Sequence, residues 1–176
     1  EWVRMPMGMV SSPATYQRLM DQMLDGIDGA RTYIDDTFVY SSDFDRQLDS
    51  LRQVLAQVRE FKLLLQPSKC SFCVKRVVCL GHVLDADGIR PVESKVQAIV
   101  DLPLPDSVKA LKGFLGMAGY YRKFIHNFAH LSGPLMDMQK RGVVFEWNLE
   151  RVAAFEAIKQ ALVSAPCLAA PRWDLD

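Results

Sequence analysis

Two adjacent carboxylates, Asp35 and Asp36, stand between short apolar runs, Arg31 to Ile34 and Thr37 to Tyr40. The β-branched and aromatic content of those runs predicts strand, tight turn and strand, with the carboxylates at the tip. Like charges that close repel, so the pair is favourable only where water solvates it well or a cation sits between the oxygens. A divalent metal is the chemical explanation; the plain one is that Asp is a good turn former. A second set, Cys70, Cys73, Cys79 and His82, has the spacing C-x2-C-x5-C-x2-H of a tetrahedral zinc site. Those ligands fall in a β-branched segment whose alternation points them to different faces, and Cys is common as a small buried apolar residue, so zinc is not expected. A third set is a stripe at helical spacing: Lys109, Lys112, Gly116, Gly119 and Lys123. Mid-helix glycine costs about 1 kcal/mol against alanine. The stripe therefore suits either a phosphate backbone approaching closely between lysines or a neighbouring helix packed against the glycines.

The elements that must carry these residues follow from periodicity. Ser12 reads as an N-cap and Pro13 as the first helical residue, with Tyr16, Leu19, Met20, Met23, Leu24 and Ile27 as the buried stripe and an end near Asp25-Gly26. The flexible Gly8 precedes that helix start, where free N–H groups could hold a substrate. Ser41-Ser42-Asp43 caps a second helix from about Phe44 to Lys62. From Cys70 to Arg90 the residues favour strands, with a turn at Asp85-Ala86-Asp87-Gly88. Pro91 opens a helical half: Val92 to Leu102, Ser107 to about Ile125, a helix from Phe128 to Gln139 interrupted at Gly133-Pro134, and a last helix from Asn148 to Ala165. Val143 to Trp147 reads as a strand. The sum is an α+β fold with an antiparallel sheet covered by helices on one face, followed by a helical part.

Composition bounds what this fold can do. The 176 residues are 49% hydrophobic, enough for a sizeable core, and 21 Lys and Arg balance 21 Asp and Glu, so no global field draws the chain to nucleic acid. Locally the balance breaks: from Ser107 to Arg141 there are Lys109, Lys112, Arg122, Lys123, Lys140 and Arg141 against Asp137 alone. No apolar run is long enough to span a bilayer and no signal peptide stands at the start. The reading is an intracellular chain, cytoplasmic or nuclear, with no membrane partner and its cysteines as thiols. The opening Glu1-Trp2-Val3-Arg4, without an initiator Met, reads as a cut from something longer.

Many ordered segments together resemble the reverse transcriptase of Ty3/gypsy-type LTR retrotransposons. They include Arg4 to Met9, Ser12-Pro13-Ala14-Thr15-Tyr16-Gln17, Tyr33-Ile34-Asp35-Asp36, Leu80-Gly81-His82, Phe114-Leu115-Gly116, Tyr120 to Ile125, Pro134-Leu135 and Phe145-Glu146-Trp147. The resemblance implies an RNA-directed DNA polymerase with a partial palm at 1–90, a helical thumb at 91–141 and the start of the connection at 142–176. It implies that Asp35 and Asp36 are catalytic metal ligands for two Mg²⁺ ions together with a third Asp, activating the primer 3′ hydroxyl and stabilising the leaving pyrophosphate. By the same resemblance Tyr33, Leu80, Gly81 and His82 lie at the primer end. Met7, Gly8, Ser12, Pro13 and Gln17 form the nucleotide pocket, and Lys109, Lys112, Gly116, Gly119, Arg122 and Lys123 track the backbone of a template–primer duplex. This chain departs from the family pattern at Met7, where an aromatic is usual, and at Ser11-Ser12, where Asn-Ala is usual. The third Asp and the fingers would precede Glu1, and the ribonuclease H carboxylates would follow Asp176. The expectation is that the chain alone does not polymerise, and that a surface meant for fingers is open to another protein or a second copy. The other function class is a truncated or domesticated relative that binds nucleic acid or protein without chemistry.

Overall fold

The computed structural model describes residues 5–6 and 8–169. These fall into two compact units divided between Cys70 and Ser71. The architecture is α+β, as the sequence predicts, with one two-stranded and one three-stranded antiparallel sheet.

In the first unit α1 (Ser12–Leu24) leads to a hairpin of β1 (Ala30–Tyr33) and β2 (Asp36–Val39), followed by α2 (Phe44–Glu60) and a 3₁₀ turn at Pro67–Lys69. Helix α1 starts one residue earlier than the capping pattern predicts, with Ser11 at the N-cap and no side-chain cap. The reason is that the Ser12 hydroxyl donates to the Pro6 carbonyl at 3.0 Å, tying down the preceding loop instead of capping. Asp43 does cap α2, its carboxylate accepting from Arg46 N at 3.0 Å. Met20, Met23, Leu24, Ile27 and Ala30 pack with Val54 and Val58 of α2 as this unit's core. Leu19, expected in the buried stripe, is exposed, because the stripe runs through Met20 and Met23 and leaves it on the outer flank.

The second unit begins with a meander of β3 (Val77–Cys79), β4 (His82–Asp85) and β5 (Gly88–Pro91), and continues as α3 (Glu93–Val100), α4 (Val108–Tyr120), α5 (Phe128–Asp137) and α6 (Leu149–Val163). The side chains of Ser107 and Asn148 cap α4 and α6, accepting from Ala110 N and Arg151 N. Leu111, Phe114, Phe155, Ile158, Leu135, Met138 and Leu162 are essentially sealed from solvent and form the core. Lys159 is buried among them: its Nζ donates to the Leu102 carbonyl at 2.7 Å and lies 4.5 Å from the Phe155 ring centre. Beyond α6, Ile89 and Leu168 exchange two backbone hydrogen bonds of 2.8 Å. Gly88 is needed there, since a Cβ would sit 2.3 Å from the Leu168 carbonyl oxygen.

Two expectations of the helical half are corrected. Helix α5 runs unbroken through Gly133-Pro134. Pro134 removes the donor that would reach the His130 carbonyl, but fully buried Leu135 and Met138 keep the turn helical. Residues 143–147 form no strand and have no ladder partner among the described residues. Their alternation instead inserts Phe145 and Trp147 into the core while Val144 and Glu146 face water. The indole N–H of Trp147 donates to the Pro105 carbonyl at 2.8 Å.

Candidate functional site

The register of the first hairpin pairs Tyr33 with Asp36, so the turn consists of Ile34 and Asp35. Asp36 therefore opens β2 rather than sharing the loop, one position off the predicted strand limits. Both carboxylates and the Tyr33 ring are exposed. Ile34 has φ 52°, in the left-handed region. A β-branched residue is a true outlier there, where Asn or Gly would form the turn without strain. The Gln17 side chain holds it. Its Oε1 accepts from Ile34 N at 2.6 Å, and its Nε2 donates to the Thr32 carbonyl at 3.3 Å and to Asp21 Oδ1 at 2.8 Å. One amide of α1 thus holds the end of β1 and the first residue of the turn.

The residues predicted to form a nucleotide pocket are only partly gathered. Met7 lies outside the described residues. Ser12 is bonded to Pro6, Gly8 (φ 87°) has no atom of the described residues within 4 Å of a hypothetical Cβ, and Gln17 is turned to the hairpin. Pro13 sits in the first turn of α1. A cavity of about 490 Å³ at the other end of that helix, lined by Asp21, Asp25, Asp28 and Arg31 among others, includes none of these five.

In the second unit the turn between β3 and β4 consists of Leu80 (φ 47°) and Gly81 (φ 71°), closed by the pair Cys79 and His82. Positive φ at both positions is the mirror-image hairpin turn, and Leu in the left-handed region costs roughly 1–2 kcal/mol. The hydroxyl of Tyr120 donates to the Leu80 carbonyl, and that of Tyr121 to the Gly81 carbonyl at 3.1 Å. The His82 ring lies 5.4 to 5.6 Å from the rings of Tyr120, Tyr121 and Phe124, its Nδ1 2.8 Å from the Leu80 carbonyl and its Nε2 buried without a partner. Burial, with a smaller push from Lys123, holds the His82 pKa below its usual value against the Leu80 hydrogen bond. Burial raises the Tyr121 phenol, and Tyr120 adds to it. At the far end of β4 the Arg90 guanidinium, 2.6 Å from Asp85, keeps that carboxyl below the ordinary carboxylate range, with Arg76 and the Asp87 N–H assisting.

Along α4, Lys109, Lys112 and Gly116 are exposed, as are Arg122 and Lys123 just beyond it, and Gly119 is half-buried. Among the described residues no atom lies within 4 Å of a Cβ built on Gly113, Gly116 or Gly119, so no described helix uses their smallness. None of the four basic side chains joins an ion pair among the described residues. Of the residues with zinc spacing, Cys70 donates to the Gln66 carbonyl, Cys73 is exposed and His82 is enclosed by aromatic rings, and no metal-holding group is gathered among the described residues. No described helix is long and apolar enough to cross a membrane.

The sequence pattern exposed the carboxylate tip, the Leu80-Gly81 turn and the α4 stripe. It gave no sign of the Gln17 grip or the Tyr120 and Tyr121 caps, whose partners lie 15 to 40 positions away. Residues 1–84 match the family described as reverse transcriptase (RNA-dependent DNA polymerase), which supplies the class. Relatives narrow it. The retrovirus-related Pol polyproteins of transposons 297 and opus of Drosophila melanogaster are 37% and 36% identical over 99% and 97% of this chain. The transposon Tf2-3 polyprotein of Schizosaccharomyces pombe is 29% identical over 96% of it. These matches support the resemblance to the LTR-retrotransposon reverse transcriptases of the Ty3/gypsy type. It spans 17%, 18% and 13% of the length of these three relatives. Among solved structures, a foamy viral protease-reverse transcriptase in complex with dsDNA superposes with a TM-score of 0.88 at 25% identity, covering 96% of this chain and 30% of that one. A foamy viral protease-reverse transcriptase in complex with an RNA/DNA hybrid gives 0.83 at 24% identity, a likeness of fold, over 96% of this chain and 23% of that one.

Proposed function

We propose that this chain seats a template–primer duplex and carries two of the carboxylates with which a retroelement polymerase copies RNA into DNA. The observation that carries the reading is the tip itself. Asp35 and Asp36 are presented to solvent by a turn that places β-branched Ile34 at φ 52° and is held there by Gln17. Strain kept at an exposed tip marks a position whose geometry is needed for something besides turning the chain. Two adjacent carboxylates are the hard oxygen donors that Mg²⁺ selects. When bound, the metal would activate the primer 3′ hydroxyl and steady the leaving pyrophosphate. No third His, Cys, Asp or Glu gathers with the pair among the described residues, so full activity draws on a further carboxylate. Duplex binding is supported by the open, unpaired basic face of α4 and by the dsDNA in the similar foamy viral structure. On this reading 1–90 is palm, 91–141 thumb and 142–176 the start of the connection, with Tyr33, Leu80, Gly81 and His82 at the primer end.

Primer extension with Mg²⁺ tests it. The 176-residue chain is expected to bind a labelled template–primer without extending it. In the whole polymerase Asp35→Asn is expected to lower incorporation by about two orders of magnitude or more, the scale on which a preorganised electrostatic group acts. Incorporation that survives Asp35→Asn would remove Asp35 from the chemistry.

A further inference from the structure

Both carbonyls of a surface hairpin turn would ordinarily be hydrated, at no cost in ordering side chains. Here each is instead capped by a tyrosine hydroxyl from 40 residues further on: Leu80 by Tyr120 and Gly81 by Tyr121. Tyr121 is buried and its ring belongs to the core, but Tyr120 is 53% exposed and adds little to packing. Its contacts are the Leu80 carbonyl and the rings of His82 and Tyr121, the latter perpendicular at 5.0 Å. The two tyrosines also press on the turn directly: a Cβ on Gly81 would meet Tyr120 Cε1 and Tyr121 Oη, each at 3.4 Å. Tyr120 closes the helix whose outer face carries Lys109, Lys112, Gly113 and Gly116.

We propose that Tyr120 and Tyr121 are positioning residues that fasten the Leu80-Gly81 turn to the end of α4, so that the turn and the glycine-lysine face meet one duplex as a single surface. The inference rests on the duplex-binding reading above and adds the device that sets where the primer end lies relative to the helix. Leu80 in the left-handed region is what such a fastening produces, since an unfastened turn would favour Asn or Gly there. His82 completes the joint from below, its ring filling the space between the two tyrosines and Phe124 while its Nδ1 faces the same Leu80 carbonyl.

The test compares the 176-residue chain with Tyr120→Phe, Tyr121→Phe and the double variant, which keep the rings and remove only the hydroxyls. Binding to a DNA primer–template is read by fluorescence anisotropy across salt, and contact by cross-linking from a 3′-terminal 4-thiothymidine. The double variant is expected to bind about fivefold or more weakly, the scale of a hydrogen bond's net worth. Cross-linking to the 79–82 peptide should fall, while the salt slope stays unchanged because the lysines remain. A merely structural role would leave the cross-link pattern of the folded variant intact. Tyr120→Phe, at an exposed ring, is the safeguard against misfolding: without DNA, the ¹⁵N relaxation of the Gly81 amide should show a looser turn. Affinity and cross-linking within about twofold of the original, or an unchanged Gly81 amide, would overturn the proposal. A failure of the duplex reading looks different: the unaltered chain would not bind, or Lys109→Ala/Lys112→Ala/Lys123→Ala would leave affinity and slope as they were.

Discussion

Gln17 holds more of the candidate site than its half-buried place in the second turn of α1 suggests. It satisfies the Ile34 N–H in the conformation from which Asp35 and Asp36 are presented, and removing its amide leaves that donor and the Thr32 carbonyl to water. Gln17→Met keeps length and helix propensity, so its effect isolates the grip: a loss of about 1–2 kcal/mol in urea unfolding is expected. An unchanged midpoint would mean the turn holds itself. His82 and Asp85 set the acid sensitivity. The folded His82 pKa lies below that of the unfolded chain, about 6.5, so the unfolded state takes up its proton first as pH falls. Stability is thus lost from about pH 6.5 downward until folded His82 also titrates. The depressed carboxyl of Asp85 contributes above its unfolded value of about 3.9, and that contribution goes as pH falls through the folded pKa. Melting temperature against pH should therefore fall in two stages, the upper one absent in His82→Phe. At this scale residue identities were readable from the sequence and their partners were not. Asp35-Asp36 announces itself by adjacency, whereas the Gln17 and tyrosine contacts depend on how distant segments meet.

Helix α4 is where an element's own stability and its proposed use oppose each other. Gly116 and Gly119 weaken the helix, and nothing among the described residues occupies the space they leave. Gly116→Ala and Gly119→Ala should each stabilise the chain, by up to about 1 kcal/mol, in thermal or urea unfolding. If a phosphate backbone approaches that face, the same methyl groups should weaken duplex binding. Stabilisation with unchanged affinity would show that the glycines serve no ligand. The spacing of this stripe was legible because helical periodicity is a local property. Which of its two explanations applies was not, because that depends on what else packs there. The same limit explains residues 143–147: an alternating pattern says which side chains turn inward, and both a strand and an extended loop over a core satisfy it. It also explains α5, where buried Leu135 outweighs the interruption that Gly133-Pro134 predicts.

Across the whole molecule, fold class followed from counting elements, while the division at Cys70/Ser71 did not, since periodicity shows that a face is buried and not against which partner. Charge at this scale bears on kinetics. The chain has 21 basic and 21 acidic residues, and 20 of the acids lie outside 107–141, so the far field of the basic stretch is largely cancelled. Asp137 further neutralises Lys140 at 2.6 Å. Beyond the Debye length, about 8 Å at physiological salt, little remains to steer a duplex inward. On the proposed duplex-binding reading, Lys109, Lys112, Arg122 and Lys123, which join no ion pair among the described residues, would displace counterions in proportion to the phosphates they meet. The two effects separate in rate measurements. The association rate of a labelled duplex should stay near the unsteered range, about 10⁵–10⁶ M⁻¹s⁻¹, with a shallow salt dependence, while the dissociation rate rises steeply with salt. Stopped-flow anisotropy between low and physiological salt decides it. An association rate that falls as steeply as the affinity would mean that the basic face acts at long range despite the balanced total.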